Sequence, residues 1–149
     1  NLLTNPDPLL IPQLIRLLAW DEVSSQVREL LIRTGAPIAG QLADALLDER
    51  YDFAVRRRLP RILARCSSQR SFDALIAAQA DPRFEIRFQA SRALDYLKQQ
   101  DPSLTIASRD VFHLVSRELS VSRPIWEGRK LLDSRDPPAS GFSFLEDLL

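Results

Sequence analysis

The sequence holds 149 residues, 45% hydrophobic and 27% charged, which fits one globular domain with a real core and excludes a disordered chain. Twenty basic residues balance twenty acidic ones, so no global field draws the chain toward nucleic acid or a membrane surface. The single cysteine, Cys66, excludes an internal disulfide and fits a reducing, cytoplasmic setting, with no signal peptide and no apolar run of ~18 residues in the sequence.

In chain order, Asn5-Pro6-Asp7-Pro8 reads as a turn that delivers a helix, with Asp7 as N-cap and Pro8 at the first helical position. Leu10, Leu14, Leu17 and Leu18 form a helical stripe that Trp20-Asp21-Glu22 closes. A second helix carries Val27, Leu30 and Leu31 and stops at Gly35, and a third runs from Ala36 to Asp48 with Ile38, Leu42, Ala45 and Leu46 inward. Asp52 caps a fourth, expected to run unbroken from Phe53 to Cys66. Ser67-Ser68 interrupts it, and Ser71 to Ala80 is the fifth. Asp81-Pro82 then breaks the chain before its most regular stretch, up to Leu97, where Ile86, Ala90, Ala93, Leu94 and Leu97 share one helical face. Gln99 to Arg109 reads as a connector, Asp110 to Leu119 as a helix, and Ser122 as the cap of a last helix carrying Leu131-Leu132. The chain thus divides into an array over residues 1–135 and a Pro/Gly linker over 136–149. In that linker Ser143 to Glu146 spells a capping box opening a truncated helix. With methionine absent, the expectation is a piece cut from something longer.

A repeat emerges from this order. The pairs Val27-Arg28, Val55-Arg56 and Ile86-Arg87 recur at offsets of 28 and then 31 along the chain. Leu31, Leu59 and Ala90 follow four positions after each apolar anchor, and Asp21, Asp48 and Asp81 precede the anchors. A pair of helices per unit, at a period of roughly 30 residues, is the signature of a helical solenoid. The pattern at Asp81 to Leu94, D-P-x-x-x-I-R-x-x-A-x-x-A-L, resembles the second helix of a HEAT repeat.

That resemblance implies an all-α, right-handed solenoid of about four HEAT-like helix-turn-helix repeats, covering about residues 7 to 135. It implies that Arg28, Arg56 and Arg87 reach acidic turn residues of adjacent repeats, the set Asp21, Asp48 and Asp81, as a structural ladder. The fourth unit departs from the pattern, with Ile125 where the arginine belongs. In overall texture the chain is also similar to HEAT segments of large bacterial proteins that carry a transporter-like membrane part, which implies a cytoplasmic piece of such a protein.

Residues able to carry catalysis are few. His113 is the only histidine, so a two-His metal site is excluded, and Cys66 has no CxxC companion. The four glycines are scattered, leaving no phosphate-cradling loop, and Asp21-Glu22 and Asp48-Glu49 sit where capping explains them. The expectation is a non-catalytic chain without metal or cofactor.

The arginines say more. Residues 50 to 70 hold seven of them against one acid, Asp52. Arg57, Arg61 and Arg65 stack at i, i+4, i+8 opposite the apolar face, and like charges so placed weaken a helix, so helix stability does not explain them. One repeat on, at an offset of 31, stand Phe88, Arg92 and Tyr96. Trp126 and Lys130 follow at a further 38, and the first repeat offers Glu29 and Arg33. In HEAT-like arrays such second helices line the concave side. The expected function is therefore a protein-interaction or scaffold module that binds an acidic polypeptide segment, or adjoining domains of the same chain, on that band. Two alternatives stand beside it. Arginines on phosphates with Phe88, Tyr96 and Trp126 under bases would make a nucleic-acid surface, as in HEAT-like DNA glycosylases. A solvated basic face would make a structural spacer.

Overall fold

The computed structural model describes residues 6–106 together with Ser116, and all regular structure among them is helical. By backbone packing the chain divides into two units, Asn1–Asp110 and Val111–Leu149. The expected boundary at residue 135, the last two helices, the capping box, His113, Trp126 and Lys130 all lie outside the described residues.

Among the described residues, side-chain caps set three of the helix starts, at Asp7, Asp52 and Ser68. Asp7 accepts a hydrogen bond from the Leu9 amide at 2.9 Å and opens a 3-10 turn, Pro8–Leu10, that feeds α1, Ile11–Leu17. α2, Asp21–Thr34, has no side-chain cap but carries Asp21 and Glu22 in its first turn, where the helix dipole favours them. It ends at Gly35, whose φ of 70° and ψ of −144° belong to a region that side-chain-bearing residues avoid. A 3-10 turn, Ala36–Ile38, replaces the expected first turn of the third helix, leaving α3 as Ala39–Leu47.

The expected fourth helix is two helices, α4 Phe53–Arg56 and α5 Leu59–Leu63. Pro60 is the reason. It has no N–H to give the Arg56 carbonyl, so the ladder breaks over Arg57 and Arg58, and the Arg58 amide turns back to Val55 at 3.0 Å. In α5 the same proline sits within the first turn, where no donor is needed. Asp52 still caps α4, accepting from the Ala54 amide at 2.6 Å. Ser67, with φ of 27°, reverses the chain, and Ser68 caps α6, Gln69–Ala77, through the Ser71 amide. After a 3-10 turn, Ala78–Ala80, α7 runs from Phe84 to Gln100, through part of the expected connector.

The helices pack in two rows. α1 lies against α3 and α3 against α6, while α2 lies against α5 and α5 against α7. Contacts between the rows, α1 with α2, α3 with α5 and α6 with α7, enclose a continuous apolar core. Ile15, Leu31, Leu46, Leu59, Leu75 and Ile86 are wholly enclosed there. From α7, Ile86, Ala90, Ala93 and Leu97 are buried as their spacing predicts, and Leu94 is half-buried. Among the described residues no helix is long and apolar enough to cross a membrane.

Candidate functional site

The row α2, α5, α7 turns one face outward, and what that face carries follows from helical spacing. α2 offers Arg28, Glu29 and Ile32. The end of α5 offers Arg61, Ala64 and Arg65, and α7 offers Gln89, Arg92, Ala93 and Tyr96. Together they line an open groove of about 750 Å³. A recess of about 210 Å³ adjoins it, sharing Arg28, Arg61 and Gln89 and adding Arg57, Arg58 and Glu85. The combined lining holds six arginines and two glutamates, a local excess that the neutral whole chain conceals.

Three arginines of α5 and its flanking turns each meet a particular residue of α7. Arg57 faces Glu85 at 3.6 Å, both partly exposed, a pair worth ~0–1 kcal/mol. Arg61 donates through Nε to the Gln89 side-chain oxygen at 3.3 Å. Arg65 donates through Nη1 to the Tyr96 hydroxyl at 2.8 Å, with its guanidinium 4.7 Å from the ring centroid. The register across the two helices is therefore an offset of 28 for Arg57 and Arg61 and of 31 for Arg65. Phe88 and Arg92 do not sit across from the first two arginines as the sequence expects. The break at Pro60 takes Arg57 off the line of an unbroken helix, and Arg65 lies past the end of α5 at Leu63, so the three arginines do not share one helical register.

Of the expected band, Arg61, Arg65, Arg92 and Tyr96 share the groove, and Arg57 stands in the adjoining recess. Phe88 is not among the groove's lining residues. It is 45% exposed, its ring 5.9 Å from that of Phe84, which is 69% exposed. The Arg92 guanidinium stands 6.0 Å from the Phe88 centroid, and that of Arg87 stands 5.8 Å from Phe84.

The arginine ladder takes a different form from the one expected. Arg56, 6% exposed, pairs with Asp81, 7% exposed, and its Nε donates to the Leu46 carbonyl at 2.9 Å. Asp81 also accepts from the Arg83 amide at 2.9 Å. Arg87 instead donates to the Asp81 and Pro82 carbonyls at 2.8 and 2.9 Å, in the turn just before its own helix. Arg28 is exposed in the groove and has no ion pair among the described residues. The partner of Asp21 is Arg58, which also donates to the Leu18 carbonyl. Asp48 pairs locally with Arg50, whose hydrogen bond holds its carboxyl below the usual range.

Sequence spacing misses Arg28 as a groove residue because its position matches the ladder. It misses Arg58 because it lies between two repeat positions. Gln89, Ile32, Ala64 and Ala93 carry no signal of their own and are found only once the three helices are side by side. No family model, curated protein or solved structure matches this chain.

Proposed function

We propose that this chain is a non-catalytic interaction module, a HEAT-like right-handed solenoid whose concave groove binds an acidic segment of a polypeptide. The reading draws support from the two rows of helices, α1-α3-α6 and α2-α5-α7, the arrangement of helical pairs stacked one on the next. The observation that carries the function is the charge of the groove, Arg28, Arg61, Arg65 and Arg92 against the single carboxylate of Glu29. Arg28, Arg61 and Arg92 face no carboxylate within salt-bridge distance among the described residues, so an arriving anion relieves their mutual repulsion.

The stacked Phe84–Phe88 pair beside Arg87 and Arg92 favours a second reading, a single-stranded nucleic acid stacking on those rings. A double charge reversal confined to the groove and away from the Phe84–Phe88 pair, Arg28→Glu with Arg61→Glu, separates the two. Binding of a fluorescent oligo-glutamate-rich peptide is expected to fall at least tenfold, with the circular dichroism unchanged. Tight capture of oligothymidylate, weakened by Phe84→Ala with Phe88→Ala, would replace the first reading with the second. Peptide binding indifferent to the reversal would leave the groove a solvated face.

A further inference from the structure

Resting on that reading, we infer that the groove selects acidic segments bearing one apolar side chain, an anchor set between carboxylates, rather than polyanions of uniform charge. The apolar part of the lining is the observation. Each of the three helices brings one such residue or more to the groove: Ile32 from α2, Ala64 from the end of α5, and Ala93 and Tyr96 from α7. Ala64 and Ala93 are 6% and 4% exposed, and they are the shortest side chains among the lining residues, so they form its floor. There the backbones of α5 and α7 approach the ligand with almost no side chain between. Ile32 and Tyr96 are half-buried. Tyr96 is held by the Arg65 hydrogen bond and by the guanidinium over its ring, which orients it as a fixed wall.

A polyanion of uniform charge would leave this strip against water or against its own polar groups. An apolar side chain covers it, while carboxylates on either side reach Arg28 on α2 and Arg61, Arg65 and Arg92 from α5 and α7. Apolar burial and ion pairing then act together, and the arginines set the register in which the anchor enters. The groove's size lies within the ~300–1,000 Å³ typical of sites that enclose most of a ligand. It is open at its mouth, as a site for a peptide side chain requires.

The test is a peptide array in which one randomised position is flanked by Glu and Asp, incubated with the full chain, beside the same array flanked by Lys. Phe, Leu, Ile, Trp and Tyr are expected to be enriched at the randomised position by roughly tenfold over Ser and Gly, the ratio that about 1.4 kcal/mol of affinity produces. Tyr96→Ala should lower that enrichment, with the circular dichroism unchanged. Acidic peptides captured equally whatever the central residue would overturn the anchor and leave the acidic-segment reading standing. Acidic arrays captured no better than the Lys-flanked ones would overturn that reading itself.

Discussion

Arg56 and Asp81 meet with both side chains enclosed, so most of the expense of removing two charges from water is offset only while they face each other. Truncating Arg56 to alanine removes the guanidinium from a buried carboxylate and strips the Leu46 carbonyl of its donor. The expected loss of stability is about 3 kcal/mol. Arg87→Ala removes hydrogen bonds to two neutral carbonyls at a half-exposed site, a loss of about 1 kcal/mol. Arg61→Ala should stay within about 0.5 kcal/mol of the parent. Urea midpoints rank the three, and a largest loss at Arg87 would reverse the assignment of the ladder. Cys66 gives a second residue-level expectation. Burial pushes its thiol up to about 11, above an ordinary value of 9.0, and its Sγ–H donates to the Ile62 carbonyl at 3.4 Å. The folded state then holds the proton more tightly than the unfolded state. Its contribution to stability is complete below pH 9 and is lost as pH rises toward 11. Iodoacetamide at pH 8 should leave the native thiol unmodified and label it only in denaturant. A stability titration of Cys66→Ala should lack the fall between pH 9 and 11.

At the scale of the element, backbone conformation decides more than side-chain contact does. Gly35 ends α2 with φ of 70°, and a Cβ there would meet only the Ile32 and Arg33 carbonyls at 3.8 and 4.0 Å, which is ordinary contact. The cost of Gly35→Ala is therefore conformational, about 1–3 kcal/mol. Gly40 lies inside α3 with ordinary helical backbone, and its added Cβ would meet the side chain of Arg70 at 3.5 Å. Gly40→Ala should stabilise by up to about 1 kcal/mol, since alanine is the better helix former. Opposite shifts in melting temperature check both, and two losses would mean that Arg70 cannot yield. The same distinction explains what is legible in the sequence. Gly35, Asp7 and Asp52 announce helix ends through local chemistry, and the burial of Ile86, Ala90, Ala93 and Leu97 follows from spacing alone. The break at Arg57-Arg58 is also local, since Pro60 stands in plain view, yet the regular apolar stripe from Val55 to Cys66 masks it. The groove is legible only in part. Arg61, Arg65, Arg92 and Tyr96 follow from the repeat, whereas Arg28, Gln89 and the alanine floor depend on how three helices register side by side. The offset between repeats, 28 in one place and 31 in another, does not choose between those registers.

For the whole molecule, the contrast between a neutral chain and a basic groove sets the salt dependence of binding. Twenty positive charges balance twenty negative ones, so at distances beyond the ~8 Å Debye length of physiological salt the molecule presents little net field. Long-range steering is therefore weak, and attraction begins only where a ligand enters the groove and meets Arg28, Arg61, Arg65 and Arg92 directly. Contacts of that kind are screened by salt, but an apolar group seated over Ala64 and Ala93 is not. A nucleic acid held by those same arginines would release condensed counterions, with a log–log slope near −0.7 for each single-strand phosphate contacted. Four such contacts predict a slope near −2.8. An acidic peptide carries no condensed counterion layer of comparable density, so its slope should be shallower. With an apolar anchor, binding should level off rather than vanish toward ~1 M salt, where the Debye length is only ~3 Å. Fluorescence anisotropy from 50 mM to 1 M sodium chloride, with an acidic Phe-bearing peptide and with oligothymidylate, measures both slopes. A peptide affinity that falls as steeply as the oligonucleotide's, with nothing left at high salt, would mean that charge alone holds the ligand and that the groove floor takes no part.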